Sequence, residues 1–171
     1  VAIMNTMANG EARNKILRGF LKDDSIEVGP TFSIDNGDKL NEFLDRLVRY
    51  MKEGIKKTVA FTSNSFYGLK DYPNENTETH YQSYVVDTGE RTILMIDPSR
   101  KHTITGIYAP LSSWYIACYL TNKIRCYPYW LKISNPCQVI YDDIYCQSWT
   151  LFLMFKYLKD KMNVNSIVDI P

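Results

Sequence analysis

Nucleophilic chemistry needs a thiol or hydroxyl, a base to take its proton and a group to hold that base. The residue types for a thiol version are present in the second half of this sequence. Cys146 stands directly before a strongly apolar run, Trp149, Leu151, Phe152, Leu153, Met154, Phe155, Tyr157 and Leu158, which reads as a helix from about Gln147 to Lys159. A helix apolar on nearly every side is buried in its domain. Unpaired N–H groups and the positive end of the helix dipole at its start would favour a thiolate at Cys146. A free cysteine is also a common small apolar core residue, and the position alone does not separate the two readings.

Only two histidines occur, His80 and His102, so imidazole chemistry has two candidates. His80 opens a β-branched and aromatic run to Asp87, and a second run spans Arg91 to Asp97, with Thr88-Gly89 between them as a hairpin signal. A two-residue turn there pairs Asp87 with Glu90 and sets His80 directly opposite Asp97. That is hydrogen-bonding range for a base and its orienting carboxylate. The alternative is a solvent-facing His–Asp pair at the hairpin ends. His102 follows Arg100 and Lys101 in a basic loop with no acid placed to orient it, and reads as a surface residue.

The elements that must position these groups follow from periodicity. Leu40, Phe43, Leu44, Leu47, Val48, Met51 and Ile55 repeat at three and four within Gly37 to Lys57, which predicts an amphipathic helix with outward Glu42–Arg46 and Asp45–Arg49 pairs. A shorter helix is expected over Ala12 to Lys22, a short strand at Val59 to Thr62, a polar loop around Tyr72 to Asn76, and a helix over Leu111 to Cys126. Tyr127 to Tyr141 is expected to hold one or two strands interrupted by Pro128 and Pro136. Helices mixed with a small sheet, and no repeat, predict an α+β class.

The chain of 171 residues is of ordinary single-domain size, 1–171, and carries 20 basic against 19 acidic residues. A net charge of +1 gives no single-sign field that points to nucleic acid or a membrane surface. No stretch reaches the roughly 20 apolar residues of a membrane helix, so a soluble intracellular protein is expected. Cys118, Cys126, Cys137 and Cys146 show no Cys-x-x-Cys spacing, so reduced thiols and no metal are expected, and no cofactor is indicated. Trp114, Trp130 and Trp149 read as core or groove-wall aromatics.

Taken in order, His80-Tyr81, the strand Tyr84-Val85-Val86-Asp87, the strand Ile93-Leu94-Met95-Ile96 ending in Asp97-Pro98-Ser99, then Gln138 and Cys146, resemble the His, Asp, Gln, Cys layout of adenain and Ulp1-type cysteine proteases. The resemblance covers 79–158, the expected catalytic core, and leaves 1–76 as an unmatched part expected to be mainly helical. It implies a papain-like fold, with a small mixed or antiparallel sheet on a central buried helix. It also implies Gln138 as oxyanion donor, protein or polyprotein substrates cut after small residues or glycine, and an activating peptide or partner as a possibility. Tyr145-Cys146-Gln147-Ser148-Trp149 departs from the Asp-Cys-Gly of cellular Ulp1 enzymes and looks more like divergent proteases of large DNA viruses. The expectation is a maturation protease acting in host cytoplasm or virion. A SUMO- or ubiquitin-removing isopeptidase and a non-catalytic scaffold on the same fold stand as alternatives.

Overall fold

The computed structural model describes residues 26–33, 37–66, 79–97 and 111–131, and helical positions 150, 153–155, 157 and 158. Cys146, Gln138, His102, Trp149 and the helix expected at Ala12–Lys22 lie outside these residues. The described elements are β1 (Ile26–Ser33), α1 (Gly37–Glu53), β2 (Thr58–Phe66), β3 (Thr79–Asp87), β4 (Thr92–Ile96), α2 (Leu111–Lys123) and β5 (Tyr127–Trp130), followed by the C-terminal helical positions. The class is α+β, built on one five-stranded mixed sheet in the order β1-β2-β3-β4-β5.

Two parallel strand pairs, β1 with β2 and β4 with β5, flank the antiparallel run β2-β3-β4. Each parallel pair is joined by a helix, α1 or α2, and right-handed crossovers that advance the same way across a sheet put both helices on one face. Accordingly Leu40, Phe43, Leu44, Leu47, Val48 and Met51 of α1 and Ile116 and Leu120 of α2 share a core with Phe32, Val59, Phe61, Tyr84, Val86, Ile93 and Met95. The helices are also tied to each other, since Tyr119 and Lys123 donate to Asp45 at 2.7 and 2.8 Å. The opposite face, with Val28, Ala60, Val85, Leu94 and Ile96, is covered by Leu153, Met154 and Leu158. The sheet therefore lies between the α1–α2 layer and the C-terminal helical segment.

Residues before 76 do more than the expected helical addition: among described residues they contribute as many strand positions as helical ones. β2 hydrogen-bonds along the whole of β3, from Thr58–Asp87 to Phe66–Thr79. The first and second halves thus share one sheet.

The β3–β4 connection corrects the expected two-residue turn. Asp87 pairs with Thr92, not Glu90, across a four-residue turn, Thr88–Arg91. Arg91 takes a left-handed φ of 58°. Thr88 explains the longer turn: its hydroxyl donates to the Ile55 carbonyl at 2.6 Å and accepts from the Lys57 N–H at 2.7 Å. A turn residue anchored to the neighbouring β-strand entrance cannot also close a tight hairpin.

Candidate functional site

Moving the register by two residues keeps every side-chain position on its own face, because strand side chains alternate with period two. His80 is therefore not directly opposite Asp97; it sits one same-face step beyond it. Continuing the observed pairing past Ser83–Ile96 brings Asp97 opposite Gln82. Gln82 in turn pairs with Ser63, and His80 with Ser65, across β2.

The α1–α2 face thus grades from apolar to polar along the strands. The row Val59, Val86, Ile93 is followed by Phe61, Tyr84, Met95, and then by Ser63, Gln82, Asp97. All three members of that polar row are buried, Ser63 at 1% exposure and Gln82 and Asp97 at 0%. The backbone position of His80 follows one row further on. Among described residues, Thr79 to Gln82 pair only with β2, so β3 outruns β4 at this end of the sheet.

The start of α2 covers the polar row. Ser112 and Ser113, in its first turn, are buried and face the Tyr84 phenol and Gln82. Tyr84 Oη is 2.7 Å from Ser63 Oγ and 2.8 Å from Ser113 Oγ, and Ser63 Oγ is 2.8 Å from Ser112 Oγ. Burial pushes the Tyr84 phenol above its usual pKa, the three serine hydroxyls act against that rise, and the Asp97 carboxylate adds to it. Asp97 is thus close enough for its charge to be felt at Tyr84.

The C-terminal helical segment approaches the same end from the opposite face. Ser83 Oγ donates to the Thr150 carbonyl at 2.8 Å and pairs with the Thr150 hydroxyl, which also reaches the Ile96 carbonyl at 3.4 Å. Seven residues later, Tyr157 hydrogen-bonds with Tyr129 of β5 and feels the charge of Asp87, toward the other end of β3. From Thr150 to Tyr157 the segment therefore runs along β3 in the same direction.

Of the expected site residues, the structure describes Asp97 fully and His80 in backbone alone, while Cys146 and Gln138 lie outside it. Trp114 is exposed at 54%, against the expected core or groove-wall role, and Trp130 packs on the α1–α2 core. Gln82, Tyr84, Ser63, Ser112 and Ser113 were not read as site residues. A signal existed: Gln82 has the parity of Tyr84 and Val86 and so occupies a core-facing position where an apolar residue is expected.

Among described residues no group of three or more His, Cys, Asp or Glu could hold a metal ion, and no helix is long and apolar enough to cross a membrane. No family model matches the chain, and no curated protein matches it.

Proposed function

We propose that the chain is a cysteine endopeptidase of the adenain/Ulp1 kind, with a papain-like fold, acting on a viral polyprotein or virion precursor. The observation that carries this reading is the course of the C-terminal helical segment, from Thr150 at Ser83 and Ile96 to Tyr157 at Tyr129. Four residues back along a helix from Thr150 is about 6 Å, and three residues back along β3 from Ser83 is about 10 Å. With the helix expected from the sequence continued back from Thr150, Cys146 would lie at the sheet end where β3 reaches the backbone position of His80 and where Asp97 follows β4. Because β4 stops pairing before Gln82, the edge of β3 is open there among described residues, which would let groups approach from either face.

In this reading His80 takes the proton from Cys146, and the thiolate attacks the scissile carbonyl. His80 then protonates the departing amine, and water releases the thioester. Asp97, buried in its polar row, holds the imidazole in the productive tautomer. Gln138 and the Cys146 backbone N–H would stabilise the oxyanion.

Labelling with iodoacetamide at about pH 6, where ordinary thiols with a pKa near 8.5 are mostly protonated, tests the assignment. Modification mapped by mass spectrometry is expected fastest at Cys146 and to depend on His80, by comparison with His80→Ala. Two thiols serve as internal standards: Cys118 is exposed, and Cys126 is buried, its pKa raised by desolvation against a smaller lowering by Arg91. Cys146 reacting no faster than Cys118 would overturn the protease reading. Labelling by ubiquitin or SUMO vinyl sulfone would redirect it to modifier removal.

A further inference from the structure

The buried polar row contains a chain of hydroxyls whose protons are forced to point one way. Ser112 Oγ donates to Gln82 Oε1 at 3.2 Å. A hydroxyl has one proton, so Ser112 must accept from Ser63, Ser63 then accepts from Tyr84, and Tyr84 accepts from Ser113. The carbonyl of Gln82 is the sink of the chain. The Nε2 of that amide is buried and has no hydrogen-bond partner among the described residues. A buried amide donor left in this way is costly, so an acceptor is called for.

The register supplies one. Continued one residue past its last pair, Ser83–Ile96, the β3–β4 register brings Asp97 opposite Gln82 on the same face, and directly opposed Cβ atoms lie roughly 5 Å apart. We propose that Gln82 is the positioning residue of the site: its Nε2–H donates to the Asp97 carboxylate when the site is assembled, and the Ser113–Tyr84–Ser63–Ser112 chain holds the amide in that sense. The proposal rests on the Cys146–His80–Asp97 reading for its catalytic meaning, but its geometry involves Gln82 and Asp97 alone.

Two variants separate a hydrogen-bonding role from a packing role. Gln82→Met removes the donor at every pH. Gln82→Glu keeps an acceptor for Ser112 and, when protonated, offers an O–H in place of Nε2–H, because two facing buried carboxylates share a proton. His80-dependent alkylation of Cys146 is expected to fall about tenfold in Gln82→Met across the pH range, as loss of one bond to a charged group implies. In Gln82→Glu it stays near wild type at about pH 5 and declines as the pH rises through the raised pKa of the pair. The Gln82 side-chain amide protons, followed by nitrogen-15 NMR, should exchange with solvent about tenfold faster in Asp97→Ala, since their acceptor is lost.

Unchanged exchange of the Gln82 amide protons in folded Asp97→Ala, or unchanged alkylation in folded Gln82→Met, overturns the proposal. If Gln82→Met fails to fold, a Gln82→Glu alkylation profile parallel to wild type overturns it instead. Absence of His80-dependent alkylation in the wild type would defeat the protease reading, and the exchange of the Gln82 amide protons would still decide the Gln82–Asp97 bond.

Discussion

The contact between Ser83 and Thr150 joins the C-terminal helical segment to the sheet, and its energetics can be worked from the geometry. Thr150→Val keeps the shape and removes the hydroxyl, while Ser83 retains the Thr150 carbonyl at 2.8 Å. The loss is one net hydrogen bond, about 1 kcal/mol. Ser83→Ala is expected to cost more, about 2 kcal/mol, because it also strands a fully buried Thr150 hydroxyl on a long 3.4 Å contact to Ile96. The double variant should cost about 2 kcal/mol rather than 3, a coupling of about 1 kcal/mol. Urea unfolding followed by tryptophan fluorescence measures this, provided the slope is unchanged, and each kcal/mol should move Tm by about 2–4 °C. Strict additivity, or Thr150→Val costing more than Ser83→Ala, would refute the assigned bonding.

Gly29→Ala should destabilise by about 1–3 kcal/mol in the same assay, because a Cβ there would lie 2.9 Å from Phe43 ring atoms and 3.3 Å from Phe61 Cβ in a packed aromatic cluster. Arg91→Gly should stabilise by about 0.5 kcal/mol by relieving the left-handed φ, read as a higher urea midpoint. Asp45, hydrogen-bonded by Lys123 and Tyr119, is held below the usual carboxylate range. Its pairing therefore contributes above the unfolded pKa and is lost as pH falls through the folded one; Lys123→Met should return the Asp45 carbon-13 midpoint upward.

The amphipathic helix was legible because its burial is one-sided: Leu40, Phe43, Leu44, Leu47, Val48 and Met51 recur at helical spacing and all are buried. β3 and β4 were legible from their β-branched and aromatic runs, and the shared face of His80 and Asp97 survived because the register error was even. β1 was not read as a strand. Gly29-Pro30 interrupts its alternation, and the interruption is a bulge, where pairing slips between Val28 and Thr31. The turn was misread because Thr88 serves two distant backbone groups, at Ile55 and Lys57, and a local pattern carries no trace of such anchoring. The polar row escaped notice for a related reason: Ser63, Gln82, Asp97 and Ser112 converge only once four elements are assembled.

The strand order carries a consequence for synthesis on the ribosome. Among described residues every strand pairs only with its immediate predecessor and successor in the chain. The sheet can therefore be laid down strand by strand as the polypeptide emerges, with loop closures kept short. Among described residues, the apolar face of Val28, Ala60, Val85, Leu94 and Ile96 has no cover until the segment with Leu153, Met154 and Leu158 follows. A nascent chain stalled before that point would present an exposed hydrophobic sheet, a substrate for chaperones and a nucleus for aggregation. In the proposed enzyme the nucleophile belongs to that same late segment, so a stalled chain would be sticky and also inert.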